Sequence, residues 1–317
     1  MKRFILLVSF LWIVSRPVVA QEVIYATQDT VYINAVEAAL KALKEGDCTS
    51  CLAQYKRAFS VNHTSAMSAL RASVCAYQCQ QQEQALIYMK KAIALDWELS
   101  EEIWEDQQER PELAPLRASA LAADFQRYLD EKKIAAGRNP DLERELAAIR
   151  EADQKPRLKM DTVGREYGFN SPQAKPVWEE MVRADSVNLP KIERILQQYG
   201  YPGKSLVGEE QSMTAWLVIQ HAPLAVQEKY FPLIQKAAQQ GELEKSHLAL
   251  LVDRIRVFKG QKQLYGSQVK NGPDGKPAGF EPIEDEPNVN KRRAEMGLGP
   301  LEDYARYFGF EYVLPKE

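Results

Sequence analysis

The sequence has few of the features that identify an enzyme or a nucleic-acid-binding protein. Only 3 of its 317 residues are histidine, and 41 Lys and Arg residues are balanced by 44 Asp and Glu residues, for a formal net charge of -3. Binding to nucleic acid requires a clustered cationic excess, so we expect no nucleic-acid partner. The chain also lacks a Gly-x-Ser-x-Gly nucleophile motif, a glycine-rich phosphate loop and a His-Glu-x-x-His zinc motif. The familiar hydrolase and nucleotide-binding signatures are therefore missing.

The histidines are too scattered to indicate a metal site. His63, His221 and His247 do not have the spacing that metal ligands show when they share one helix or loop. We therefore predict no metal site and no cofactor.

The first twenty residues have the pattern of a cleavable secretory signal. Lys2 and Arg3 precede an apolar run at residues 4–14, and Ala20 provides a small residue at the expected cleavage point. The apolar run is too short to span a bilayer comfortably. We expect an exported chain, periplasmic or secreted, with no membrane span after residues 1–20 are removed.

The four cysteines form two closely spaced pairs in a region of helical pattern. Residues 49–60 and 64–80 are predicted to be consecutive antiparallel helices, so the start of the first lies beside the end of the second. The cysteines that then face each other are Cys48 with Cys79 and Cys51 with Cys75. Tetrahedral zinc is the alternative, but the export signal and the helical context favour two disulfides.

The fold class predicted from the hydrophobic pattern is mainly α. Short amphipathic runs separated by polar breaks, with alanine and aromatic residues at the contacts, resemble tetratricopeptide-type hairpins, although the strict repeat consensus is not satisfied. We predict a tetratricopeptide-like helical hairpin array in residues 21–130, followed by a linker and connecting helix in 131–150. A mostly helical C-terminal domain with a short β-hairpin is predicted for residues 151–317.

Polar side chains are set into apolar helices of this C-terminal domain. Asp253 and Arg254 lie in residues 242–259, a predicted helix with apolar residues on both sides, so both charges are expected to be buried. A structural ion pair and a functional site explain such charges equally well. Gln220 extends an apolar stripe, and His221 follows it where the helix is predicted to end. A histidine there is stabilised as the cation, although a capping or packing role is more common.

Amide side chains also alternate with apolar or small residues further along the chain. Residues 261–268 have this pattern, which is typical of a short strand with one polar face, and they include Gln263, Tyr265 and Gln268. A turn at residues 273–275 and a return strand at 279–283 complete a predicted hairpin. This hairpin either presents the three side chains to a polar ligand or only covers the helical core.

An ordered set of short motifs covers roughly residues 140–314 and resembles a bacterial domain-of-unknown-function family, number 6624. The motifs are Asp153-Gln154 with Arg157, Asp185 with Asn188, Gly200, Pro202-Gly203, Val207-Gly208, Gln220-His221-Ala222, Asp253-Arg254, Gln263-x-Tyr265-Gly266-x-Gln268 and Asn290-x-Arg292-Arg293. The family usually has Trp at Tyr201 and Thr at Ser267, and an acidic residue often stands where this chain has Pro223. The resemblance implies a mostly helical domain, frequently exported, with a shared polar site that includes Arg157 and Asp185. It implies no established activity.

Two functions are compatible with these residues. The first is a cell-envelope binding or scaffold protein, in which the hairpin array contacts a protein and the C-terminal domain holds a polar small molecule or peptide. The second is a hydrolase or lyase, with His221 as acid/base, Asp253 as its orienting carboxylate, and Arg254, Gln263 and Gln268 as substrate anchors. We prefer the first, because only one histidine suits proton transfer and no activated nucleophile is evident. The enzyme hypothesis requires His221, Asp253 and Tyr265 to lie within hydrogen-bond reach in one cleft.

Overall fold

A computed structural model describes residues 27–272 and 277–315 of the chain. The predicted secretory signal, residues 1–20, and the predicted turn at residues 273–275 lie outside these ranges. The described residues are mainly helical and include one two-stranded antiparallel sheet, so the predicted fold class is confirmed. Within them, no helix combines the length and the apolar character that crossing a membrane requires.

The described residues form two compact units that divide between Gly137 and Arg138. The α-helices of the N-terminal unit are α1 (Thr30–Glu45), α2 (Cys48–Val61), α3 (Ala66–Gln78), α4 (Gln82–Leu95), α5 (Trp97–Glu105), α6 (Ala114–Arg117) and α7 (Leu121–Ala135). Helix α1 packs against α2, and α3 packs against α4, around a core of alanine, tyrosine and large aliphatic side chains. These pairs are helical hairpins; their assignment to the tetratricopeptide class stays a prediction.

The second and third helices are joined by two disulfides. Cys48 is bonded to Cys79 and Cys51 to Cys75, with Cα–Cα distances of 5.5 and 5.9 Å. Both pairings agree with the sequence prediction, and they pair all four cysteines of the chain. Disulfides of this kind are typical of oxidising compartments, and the cysteine pairs are consistent with an extracellular protein.

The C-terminal unit is built around one buried helix. Its α-helices are α8 (Pro140–Tyr167), α9 (Lys175–Tyr199), α10 (Lys204–Gln211), α11 (Thr214–His221), α12 (Leu224–Gln239), α13 (Lys245–Phe258), α14 (Val289–Glu295) and α15 (Leu301–Tyr307). Asn139 caps the start of α8, because its side chain accepts a hydrogen bond from the Leu142 amide. The helix continues without a break through residue 150, where a boundary was predicted. In α11 every residue from Thr214 to Gln220 is buried, and the helix contacts α8, α9, α12 and α13.

The first strand lies later in the chain than the alternating pattern predicts, and the second begins two residues before the predicted return strand. They are β1 (Val269–Asn271) and β2 (Pro277–Phe280), paired antiparallel with Val269 opposite Phe280. Residues 261–268 are a loop instead of the predicted strand. Gly266 adopts a φ of 69°, and a Cβ added there would lie 2.8 Å from Leu301. This left-handed glycine interrupts the extended geometry that a continuous strand needs.

Candidate functional site

The centre of the candidate site is a contact between a histidine and a carboxylate on different helices. His221 is the last residue of α11, and its Nδ1 lies 3.3 Å from Oδ1 of Asp153 on α8. Asp153 is fully buried, and 7% of the His221 side chain is exposed. The Nε2 atom of His221 is also buried and has no hydrogen-bond partner among the described residues. Asp153 therefore fixes the imidazole ring, while the second ring nitrogen is left unsatisfied.

Arg157 connects this pair to a third helix. It lies one turn after Asp153 on α8, where its Nη1 donates to the Asp153 carbonyl oxygen at 2.7 Å and lies 3.3 Å from the Asp153 carboxylate. Its Nη2 donates to Oδ1 of Asp185 on α9 at 2.6 Å. The Asp185 side chain is 36% exposed, so it forms the most accessible edge of the cluster. We call Asp153, Arg157, Asp185 and His221 the His221 cluster.

Burial and neighbouring charges set the protonation states in the His221 cluster. Burial by itself raises the pKa of Asp153, but His221, Arg157 and the Gln154 amide together bring it below its ordinary value. Burial lowers the pKa of His221, and the positive charges of Arg157 and Arg254 lower it further, against the opposing effect of Asp153. Near neutral pH, the cluster therefore combines an ionised Asp153 with a neutral imidazole.

Asp253 is not the carboxylate that orients His221, so the predicted catalytic pairing is corrected. Asp253 is fully buried in α13, as its apolar surroundings predict. Its oxygens accept the backbone amides of Leu264 at 2.6 Å, Tyr265 at 3.0 Å and Ser267 at 2.9 Å. The carboxylate is committed to the loop that precedes β1, and the orienting role at His221 belongs to Asp153.

The predicted substrate anchors Gln263 and Gln268 also hold this loop together. The Gln263 amide group donates to the carbonyl oxygens of Gln268 and Glu281, and its own oxygen accepts the Gln268 backbone amide. The Gln268 side chain donates to the Ser267 hydroxyl at 2.9 Å. Tyr265 contributes its amide to Asp253 and its carbonyl to Arg293, which fixes the backbone of the loop. The polar spacing of these residues therefore reflects loop structure.

Arg254 and Gln220 meet at the end of α11. Arg254 is buried, and its Nη1 donates to the Gln220 carbonyl oxygen at 2.8 Å. Burial lowers the pKa of Arg254 to about 10. Both polar atoms of the Gln220 side chain are buried without a hydrogen-bond partner among the described residues. The backbone contact places the Arg254 charge next to the helix end that carries His221.

Of the predicted site residues, the structure thus brings together His221, Arg157 and Asp185, with Arg254 and Gln220 adjoining. Sequence reasoning did not select Asp153, although it begins the motif Asp153-Gln154 and precedes Arg157 by four residues on a helix. That spacing was the sequence signal that could have identified Asp153, because an acidic and a basic residue at i and i+4 lie on the same face of a helix.

The partly buried histidine His247 supports a prediction about acid stability. It lies on α13, and its ring is 4.4 Å from the Trp216 ring. Burial lowers its pKa to about 4; the Glu244 carboxylate opposes this shift, and the positive charge of Lys204 adds to it. As pH falls, His247 is protonated in the unfolded chain at a higher pH than in the folded chain. The contribution of neutral His247 to the free energy of unfolding is therefore complete above the ordinary histidine pKa and is lost as pH falls toward 4. The expected loss is at most about 3 kcal/mol.

Chemical denaturation at pH 7 and at pH 4.5 measures this effect. His247→Gln does not titrate, so it should lose less free energy of unfolding between the two pH values than the wild type does. Equal losses in the two proteins would show that His247 is protonated equally in the folded and unfolded states.

Comparison with known proteins supports the resemblance seen in the sequence motifs. The model of a family of unknown function, DUF6624, matches residues 140–316, which is more than half of the chain. This confirms the predicted resemblance and its extent. No curated protein and no solved structure matches the chain.

Proposed function

We propose that this chain, which belongs to the family of unknown function DUF6624, is an exported cell-envelope protein that binds a polar ligand at the His221 cluster. The observation that carries the proposal is the unsatisfied Nε2 of a nearly buried imidazole whose other nitrogen faces Asp153. Leaving a buried polar atom without a partner costs about 1–3 kcal/mol. A ligand that supplies the missing hydrogen bond would recover this free energy, so the arrangement favours binding.

The chemistry of the cluster suits a ligand with both donors and acceptors. Asp185 offers a partly exposed carboxylate, and Arg157 offers a guanidinium group directed at it. His221 contributes a nitrogen at a buried position, where hydrogen bonds are stronger than in water. A small polar molecule or a short peptide has the mixture of groups that this set recognises.

Two further features support a role outside the cytoplasm and a protein partner. The two disulfides of the N-terminal unit suit an oxidising compartment, in agreement with the secretory pattern of residues 1–20. The same unit contains the helical hairpins α1–α2 and α3–α4, and modules built from repeated hairpins bind proteins. In this proposal the hairpins bind a protein and the C-terminal unit binds the polar ligand.

A hydrolase or lyase is the second candidate, and the contact of His221 with Asp153 is the observation that favours it. A carboxylate that holds Nδ1 and leaves Nε2 without a partner is the arrangement found where histidine accepts a proton from a substrate or a nucleophile. The role predicted for Asp253 passes to Asp153 in this candidate. Turnover of a bound ligand would distinguish catalysis from binding alone.

Thermal unfolding of the purified chain in the presence of a library of cell-envelope fragments tests the proposal. The library should contain amino acids, short peptides and saccharides. A ligand that binds only the folded state raises the unfolding midpoint by mass action. We expect a fragment that raises the midpoint of the wild type and of the matched control His247→Gln, but leaves that of His221→Gln unchanged.

Two results would contradict the binding proposal. One is a set of hits that stabilise His221→Gln as strongly as the wild type, because the ligand would then bind elsewhere. The other is the absence of any hit together with a His221→Gln variant that is far less stable than the wild type, because the cluster would then serve only to hold α8 and α11 together.

A further inference from the structure

We propose that the His221 cluster binds a divalent transition metal ion through Asp153, Asp185 and His221, an inference that rests on the polar site proposed above. Each of these three side chains offers one ligand atom, and the three atoms all lie within 4.8 Å of one another. They come from α8, α9 and α11, so no spacing along the sequence marks them as a set. The absence of a metal motif in the sequence is therefore compatible with a metal site in the fold.

The separation of the first two ligand atoms fits a shared ion. Nδ1 of His221 lies 3.3 Å from Oδ1 of Asp153, which is longer than an ordinary hydrogen bond between such atoms. Neighbouring ligands around an ion with bonds of about 2.1 Å are separated by about 3.0 Å in octahedral geometry and about 3.4 Å in tetrahedral geometry. The imidazole and the first carboxylate already have this separation. Asp185, the most exposed of the three, is the side chain that has to move closer.

A hydrogen-bond donor beside the ligands also supports a metal site. Asp153 and Asp185 each provide a carboxylate, and the Arg157 guanidinium lies 3.3 Å from the first and 2.6 Å from the second. Arg157 donates to the Asp185 carboxylate and to the Asp153 carbonyl oxygen, so it orients the Asp185 ligand and the backbone that carries Asp153. Outer hydrogen-bond donors position the ligands of metal sites in this way.

The ligand types indicate the class of metal and leave room for a further ligand. One imidazole with two carboxylates suits zinc, manganese or ferrous iron better than calcium or magnesium, which prefer oxygen ligands alone. Three protein ligands with a partly exposed edge leave at least one coordination position for water or for a polar ligand, which distinguishes such sites from closed structural zinc sites. The metal would then be part of the surface on which the polar ligand binds.

Isothermal titration of the full chain with Zn²⁺ and with Mn²⁺ tests the metal site. The chain is first treated with a chelator and kept oxidised, so that the four cysteines remain in their disulfides and do not bind zinc. Asp153→Asn, Asp185→Asn and His221→Gln each remove one ligand, and Asp161→Asn on the same helix as Asp153 is the matched control. We expect one ion per chain in the wild type and the control, and affinity lower by about 100-fold or more in each ligand variant.

The proposal would be overturned if neither ion binds the wild type, or if the three ligand variants bind as tightly as the control does. Asp185→Asn is informative even if the buried variants fold poorly, because Asp185 lies at the exposed edge; circular dichroism checks its fold. Repeating the fragment screen with a chelator present separates this inference from the proposed function. If neither ion binds, but a fragment still binds in the presence of the chelator and requires His221, the metal site is rejected and the proposed polar site is retained.

Discussion

Replacing Asp253 by alanine is expected to lower the free energy of unfolding of the C-terminal unit by about 3–5 kcal/mol. The carboxylate is fully buried and accepts the backbone amides of Leu264, Tyr265 and Ser267. Without it, three amide groups in or near the core lose their acceptor at once, and each unsatisfied group is costly. The loop that leads into β1 would then lose its main attachment to α13.

Chemical denaturation followed by circular dichroism measures this loss. Asp253→Asn keeps one acceptor oxygen in place, so it should be destabilised less than Asp253→Ala. Asp303, an exposed acid on α15, is the matched control, and its alanine variant should unfold like the wild type. An Asp253→Ala variant within about 1 kcal/mol of the wild type would contradict the assignment, since this is the usual range for a single neutral hydrogen bond.

Replacing all four cysteines by alanine is expected to lower the free energy of unfolding of the N-terminal unit by about 3–5 kcal/mol. The disulfides join residues 31 and 24 positions apart, so they restrict the unfolded chain over most of two helices. Both crosslinks enclose the same turn between α2 and α3. Removing only Cys51 and Cys75 should therefore cost less, because the outer link from Cys48 to Cys79 continues to close the hairpin.

Calorimetry with and without a reductant, and with and without a chelator, checks this prediction. The reductant should destabilise the wild type and leave the four-alanine variant unchanged, whereas the chelator should have no effect on the N-terminal unit of either. Four titratable thiols in the unfolded wild type, together with destabilisation by the chelator, would instead support the zinc alternative.

The sequence could predict contacts that depend on local periodicity. The pairing of Cys51 with Cys75 follows from two helices joined by a short connection, because the helical repeat determines which residues face each other. The burial of Asp253 and Arg254 follows from apolar residues on both sides of α13. In each case a few neighbouring residues carry the whole argument.

Contacts between distant helices could not be predicted in the same way. Asp153 and His221 are 68 residues apart, and the chain has 44 acidic residues that could have faced the histidine. Which carboxylate does so depends on how α8 and α11 pack, and the pattern of either helix alone does not determine this. The loop before β1 shows a different kind of error. Amide side chains alternate with apolar or small residues over 261–268, which is typical of a strand, but the Asp253 carboxylate and the turn at Gly266 determine the backbone.

The buried position of α11 has a consequence for the thermodynamics of binding. His221 ends a helix whose preceding seven residues are buried and which contacts four other helices. Its backbone cannot shift without repacking a close-packed interior, so little conformational entropy remains to be lost when a ligand arrives. Asp185, at the partly exposed edge, is the member of the cluster with freedom to adjust. The affinity of a ligand should therefore depend mainly on how well it hydrogen-bonds to the fixed imidazole of His221. Differences in ligand size should be accommodated by movement of Asp185 on α9.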